Sequence, residues 1–511
     1  MTTQPLAPYP DWKAPSADGA WLIWPETNLL IQQTLANHER LAQAHNTQIQ
    51  NTPLPQLRTL ARQSIGHDDQ LPLIATGHQT ELHHPGVWAK NPLISLLADQ
   101  MKGHAYHLAV DTDAPKHLSL RWPGHSLPLT DDPAVSSAAW SSLLKAPSTT
   151  WQIHLRQAAE EDRSLAYGTI GEPMLGKFFD AFERSSMTGN SLDHCLSAAM
   201  RDVDATLGVR YRTLIASRLW DSVPYLALVH HIIARAAEFS GDYNTALADY
   251  RRRTGTQSKM RPMPDLFVGE ESVELPFWLD DLSTGIRSRP SVFATDAGFT
   301  LQLVSGAEFV FDRNAPAIEA AEQLSAFLSR SRQRLSPRAL TLTMFVRLLL
   351  ADQFVHGIGG GRYDQVTDQI IARHFKIEPP TFSVTTATLY FPTALNRERV
   401  CMPCLARDGH RLKHGVLGES KLEQVKQIAA LPRRSAQRGE IFARMHQARR
   451  SALATDANLI KWERDFSEAQ LRLQEEKTLF DRELFYAVQP KARLMELIEK
   501  YSNAMRKGSD E

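Results

Sequence analysis

Apolar and polar positions fall in blocks along this chain, and the spacing within each block predicts its element. Leu71 to Ala75 (LPLIA) is a short apolar run with the length of a buried strand. Val87 to Met101 (VWAKNPLISLLADQM) sets Val87, Leu93, Ile94, Leu97 and Met101 near one helical face, and Pro92 marks a break or a late start. Residues 105–113 (AYHLAVDTD) read as a second strand that ends in acids. Strand, helix and strand at this length predict a parallel βαβ unit. Such a unit needs helices on both sheet faces and binds ligands at the carboxyl ends of its strands.

The remaining blocks extend this outline. Glu26 to Gln48 reads as an amphipathic helix, and residues 126–255 are mostly helical by pattern. Between 264 and 312, short β-prone runs are split by Gly, Pro and Asp, which predicts a small antiparallel region. An alanine-rich helix follows over 315–331, and 337–377 returns to α/β character. Residues 416–507 are helical and highly charged. There Leu459, Trp462, Phe466, Ala469 and Leu473 recur at threes and fours, as in a coiled-coil seam, until Glu476 takes an apolar place. The expected organisation is an α/β parallel-sheet core in two parts, 1–125 and 313–400. A mostly helical insertion (126–263), a small β-rich segment (264–312) and a C-terminal helical region (401–511) complete it.

Composition narrows the function classes. Lys+Arg and Asp+Glu both total 57 in 511 residues, so no global basic field points to nucleic acid. No apolar run reaches the ~18 residues of a membrane span, and the first residues lack a signal-peptide layout. Three cysteines, Cys195, Cys401 and Cys404, fit a reducing cytoplasm better than a disulfide scaffold.

The histidines add candidate chemistry. Eight of the 19 lie between His67 and His125: 67, 78, 83, 84, 104, 107, 117 and 125. Three of them sit in ATGHQTELHHPG, between the first strand and its helix. Gly77 permits a tight turn and close approach of a ligand, and a helix start beside it favours an anion. Thr76, His78, Gln79, His84, Gly86 and Lys90 are the candidate ligand contacts around it. Asp111 and Asp113 are two apart, so on an extended strand they share a face. With Lys116 and His117 following, they suit Mg²⁺, a ribose, an amine or general-base work, or they form an ordinary Asp-rich turn. A third element, FVHGIGGGRYD, offers His356, Gly357, Gly359, Gly360, Arg362, Tyr363 and Asp364. It matches no named phosphate loop. Arg338, Arg347 and Asp352 are nearby in sequence, either facing the same cleft or paired with one another on helices. Lys259 and Arg261 could neutralise a phosphate or be solvated. Cys401, Cys404, His410 and His414 form a C-x₂-C-x₅-H-x₃-H array with the donor types of a Zn²⁺ site but a short central spacer. Two reduced loop cysteines are the plainer reading of the same residues, and a redox dithiol is disfavoured because no thioredoxin-like βαβ context surrounds them.

The order of these pieces resembles the bacillithiol biosynthesis cysteine-adding enzymes. The resemblance rests on the T-G-x-Q turn (Thr76-Gly77-His78-Gln79), the later Pro85-Gly86, the acidic strand end (Asp111-Thr112-Asp113), and the Gly357–Gly361 passage. A long helical C-terminal region adds to it. The chain looks more closely similar to a bacterial branch with GHQxELxHPGVW and HGIGG motifs. The resemblance implies a Rossmann-like core with inserted segments, a coiled-coil arm and a homodimer. It also implies a nucleotide pocket taking ATP or ADP with Mg²⁺. The family joins cysteine to an amine to form an amide, which implies a ligase acting on a small polar metabolite. On the chemistry of the residues themselves, His78, Asp111 and Asp113 are the candidate catalytic groups. This chain departs from the family where substrate would bind: His78 stands in the turn, the acidic loop is reduced to DTD, and GIGGGRYD replaces the Gly-Pro-Gly-Glu passage. Two other readings stay open, a non-catalytic metabolite-binding protein and a metal-dependent hydrolase using the His/Asp cluster.

Overall fold

Six strands form one mixed sheet: β1 (Trp21–Trp24), β2 (Leu73–Gln79), β3 (His104–Val110), β4 (Arg212–Ile215), β5 (Gln353–His356) and β6 (Phe382–Ala387). The structure is a computed structural model that describes residues 9–113, 119–122, 125–128, 174–256, 263–296, 298–392 and 400–510. The strand order is β1-β6-β5-β2-β3-β4. Every neighbouring pair is parallel except β1 with β6. The expected βαβ unit is present. β2 leads through a short turn, Pro85–Trp88, into α2 (Lys90–Met101) and on to β3, with Leu73 paired to His104 and Gln79 to Val110. Pro92 is the third residue of α2, so the break falls just before Lys90. A proline is tolerated there because the first-turn N–H groups have no partner within the helix.

Strands covered on both faces carry few polar atoms, and those few are bonded internally. β6 is buried throughout, and its Thr385 hydroxyl donates to the Leu22 carbonyl of β1. Leu73, Ala75, Tyr106 and Leu108 share one core with Val346, Leu350 and Phe354. α1 (Thr27–Ala42) and α2 both pack on the last helix, α8 (Lys491–Asp510). From β2 the chain adds β3 and β4 on one side, and β5 and β6 lie on the other. The order therefore reverses between β2 and β5, which makes that point the place where an α/β sheet opens a crevice.

Two boundaries differ from expectation. β4 lies inside the segment read as helical, among helices Leu175–Ser186, Leu192–Thr206, Val223–Ala234 and Ala236–Thr254. It is a four-residue edge strand paired on one side only, too short to show a period. The small antiparallel region forms as expected, with Ser272–Glu274, Ser291–Thr295, Gly298–Gln302 and Glu308–Phe311 in one sheet. Antiparallel pairing also reaches past 312, because Phe277–Asp281 pairs with Gln333–Pro337 in a separate three-stranded sheet. α3 (Ile358–Ile370) follows β5 directly. Lys116 and His117, Lys259 and Arg261 lie outside the described residues.

The chain forms two compact units, and Tyr390–Asp481 makes up most of the second. Its helices are α4 (Met402–Gly415), α5 (Gly418–Ala430), α6 (Ala436–Thr455) and α7 (Ala457–Leu479). Trp462 of α7 lies against Gly409 of α4 and donates to the Leu405 carbonyl at 2.8 Å. α5 and α6 bury no side chain fully. The chain from Arg482 onward, including α8, belongs to the first unit, so the expected 401–511 region is not one piece. Among the described residues, no helix is long and apolar enough to cross a membrane.

Candidate functional site

A cleft of about 210 Å³ opens in the first unit at the carboxyl ends of β2, β3 and β5, at the reversal in strand order. Gly77, His78 and Gln79 line it from β2, Thr112 and Asp113 from the end of β3, and His356, Gly360, Tyr363 and Asp364 from the β5–α3 passage. Three segments far apart in sequence therefore meet, and eight of the expected site residues are among the lining.

His356 is the last residue of β5, and the chain turns at Gly357 into α3. Its Nε2 is 2.7 Å from the Asp364 carboxylate, one and a half turns into the helix. Asp364 also accepts from Arg347 at 2.7 Å and from the Thr343 hydroxyl at 2.7 Å. Burial alone would raise the Asp364 pKa, but Arg347 and then His356 outweigh it and hold the carboxyl well below the usual carboxylate range. An ionised Asp364 accepts the Nε2 proton, so the Nδ1 lone pair is the open one. Among the described residues Nδ1 has no hydrogen-bond partner. A Cβ on Gly360 would come within 2.6 Å of it, so glycine is what leaves the ring room. Gly357 and Gly359 have open space around them, and α3 starts there with no side-chain cap. Its first N–H groups and positive dipole end are thus available to an anion beside the imidazole.

The β2 turn is built differently from expectation. Thr76 is fully buried and donates to the Val355 carbonyl at 2.7 Å, so it joins β2 to β5 rather than touching the cleft. Lys90 is buried with its Nζ donating to the Gly77 carbonyl at 2.7 Å, and burial lowers its pKa to about 7. His84 accepts from the Gly86 N–H at 3.1 Å and so caps the short Pro85–Trp88 turn. Gly86 is fixed by packing, because a Cβ there would meet Arg482 at 2.6 Å and Thr386 at 2.7 Å. His78 does face the cleft. Burial and then the Lys90 charge push its pKa well down, so it is a neutral imidazole.

The two aspartates part company because β3 ends at Val110. Asp111 turns inward and accepts from the Ser217 N–H at 2.8 Å and its hydroxyl at 2.5 Å. It is buried outside the cleft lining, and burial raises its pKa. Asp113 stays in the cleft, bonded by the Gln79 amide and paired with Arg287 at 3.2 Å. Arg362 points away, to the Trp12 carbonyl at 2.7 Å. Of the three charged residues near the glycines, Arg338 lines the cleft, Arg347 stands behind Asp364, and Asp352 is held elsewhere by Arg58 and Arg62.

The remaining wall comes from the small β segment and was not expected. Trp278 and Pro337 line the cleft, and Arg287, Arg289 and Arg338 stand 5.1–5.7 Å from the Trp278 ring centre. Arg338 is paired with Glu274 at 2.8 Å. The signal for Trp278 is only a tryptophan on a strand bounded by acids, in a segment far from every glycine turn.

In the second unit, Cys401 and Cys404 are joined as a disulfide. Bonded sulfurs offer no thiolate, so the expected Zn²⁺ array with His410 and His414 is not formed in this state. The two histidines instead stand ring to ring, 4.2 Å apart, one turn from each other on α4. Among the described residues, no three of His, Cys, Asp and Glu converge as a metal would require.

No protein-family model matches this chain, and no curated protein matches it either.

Proposed function

We propose that the cleft binds a small polar metabolite and that the chain forms an amide there, joining an amine to an acyl group. The observation that carries this reading is the His356–Asp364 pair, with an open Nδ1 beside the uncapped start of α3. In this reaction the amine nitrogen bonds to the acyl carbon, and its proton passes to His356 Nδ1. The leaving group then departs with its bonding electron pair. The N–H groups of α3 and the Arg338 guanidinium hold the anionic group, and Asp113 with Gln79 orients the amine. His78, neutral and half-exposed, is a second hydrogen-bonding contact.

The volume fits the substrate class. Pockets that enclose drug-sized ligands run to about 300–1,000 Å³, so this cleft suits a compact metabolite rather than a whole nucleotide beside one. ATP with Mg²⁺ enters the proposal only as the source of an activated acyl group. The sheet order with its reversal supports a Rossmann-like core, and Leu422, Val425 and Phe442, left exposed on α5 and α6, support a helical arm through which two chains pair.

The test is a thermal-shift screen of amino acids, amino sugars and hydroxy acids, each with and without Mg²⁺–ATP, followed by product detection by mass spectrometry. A ligand that binds only the folded chain raises its melting temperature. The expected result is a shift that Arg338→Ala abolishes, and a product whose formation His356→Asn slows by about 10²–10⁴-fold while the shift persists. A shift untouched by both substitutions would place binding elsewhere and end this reading.

A further inference from the structure

The second unit holds a feature that the cleft does not use. Cys401 is the N-cap residue of α4 and Cys404 lies in its first turn, with Met402 and Pro403 between them. The helix is already wound with the sulfurs bonded, since the N–H groups of Cys404 and Leu405 both donate to the Cys401 carbonyl, at 3.0 and 3.1 Å. Cys401 is exposed, whereas Cys404 is half-buried.

A structural staple would look different. Cross-links stabilise more as the loop they close grows longer, and this one spans a sequence separation of 3. Nor does it join two elements. The fastening of α4 to α7 is made by Trp462 on Gly409 and by the Leu405 carbonyl, one turn further along. What the position does provide is reactivity. The positive end of a 14-residue helix favours a thiolate over a thiol, and no acid lies in the first turn to oppose it. Cys401 is the exposed residue of the two, and Cys404 is half-buried and within bonding reach of it.

We propose that Cys401 and Cys404 form a thiol–disulfide exchange site for low-molecular-weight disulfides. The Cys401 thiolate attacks one sulfur of the incoming disulfide, whose S–S bond breaks and releases one thiolate, leaving a mixed disulfide on Cys401. The Cys404 thiolate then attacks the Cys401 sulfur, closes the internal bond and expels the second thiolate. Two electrons pass from the protein dithiol to the small disulfide, and the two protons end on the two released thiols. A dithiol reductant reverses the sequence by the same exchange.

The test uses the full chain, reduced with dithiothreitol and desalted, then treated with glutathione disulfide at pH 7. The wild type is expected to release two glutathione thiols per chain and return to the internal disulfide. Cys404→Ser should stop at one glutathione adduct, mapped by peptide mass spectrometry to Cys401. Cys401→Ser should form an adduct at least tenfold more slowly. Cys195 is free and buried, so it serves as an internal control that stays unmodified in the folded chain. The melting temperature should be the same for oxidised and reduced wild type. Equal adduct rates at the two cysteines, or a reduced chain that loses helix on reduction, would overturn the proposal in favour of an inert pair or a staple.

Discussion

His356 owes its setting to residues that serve it in different ways. Asp364 fixes the ring, Arg347 and Thr343 fix Asp364, and Gly360 leaves space at Nδ1. Removing the charge weakens the bonds from Arg347, Thr343 and His356 together, although Arg347 keeps Asp368 at 2.5 Å, for a net cost of about 2–4 kcal/mol. Asp364→Asn is therefore expected to lose that much stability in urea unfolding, while His356→Asn loses no more than about 1–2 kcal/mol, a single hydrogen bond and some packing. Equal midpoints for the two variants would show that Asp364 is not the anchor. Lys90 gives a pH signature. Its folded pKa is about 7 against an ordinary 10.5, so between these values the unfolded chain binds the extra proton. Stability from this group consequently rises with pH from about 7 to 10.5, by an amount on the order of a few kcal/mol. Lys90→Met should lack that rise, and melting curves of both proteins taken from pH 7 to 10 should converge; parallel curves would mean the ammonium stays charged when folded. At this scale the sequence was half legible. The glycine turn and HGIGGGRYD announce themselves by composition. Nothing local says that β3 stops at Val110, yet that stop sends Asp111 to Ser217 and leaves Asp113 alone in the cleft.

Elements were legible where their period was long or their punctuation strong. β2, α2 and β3 were readable because an apolar run, a helical stripe and an acidic strand end follow in order. β4 was not, because four residues on a sheet edge carry no period, and the wall containing Trp278 was not, because antiparallel pairing between 277 and 337 is a long-range event. The helices of the second unit offer a test of what packing adds to propensity. Glycine inside a helix usually costs roughly 0.5–1 kcal/mol relative to alanine. Gly439 in α6 has open space around it, so Gly439→Ala should stabilise by about that amount. Gly409 in α4 meets Trp462, whose ring would be 2.1 Å from a new Cβ. Gly409→Ala should therefore destabilise instead, by about 1–3 kcal/mol as an overpacked contact. Circular dichroism melts of the two variants should shift in opposite directions. A shared upward shift would mean that α4 and α7 are not held by that contact.

The whole molecule divides its labour between a sheet that positions a cleft and a helical unit with little interior of its own. The first four residues of β2 and all of β5 are buried, whereas α5 and α6 bury no side chain fully and leave Leu422, Val425 and Phe442 exposed. Amides open at a free energy that follows local burial, so exchange should differ sharply between the two regions. Hydrogen exchange followed by mass spectrometry at low protein concentration is expected to label residues 418–455 at least a hundredfold faster than Ile74–Thr76 and Gln353–Val355. Raising the concentration separates two accounts of the exposed apolar side chains. If two chains pair through this arm, as proposed, its exchange slows as the dimer fills, and sedimentation shows the mass doubling over the same range. If exchange stays fast and the mass stays single, the arm is not a self-association surface. The homodimer is then withdrawn, while the cleft, whose lining lies wholly in the first unit, stands or falls on His356 alone.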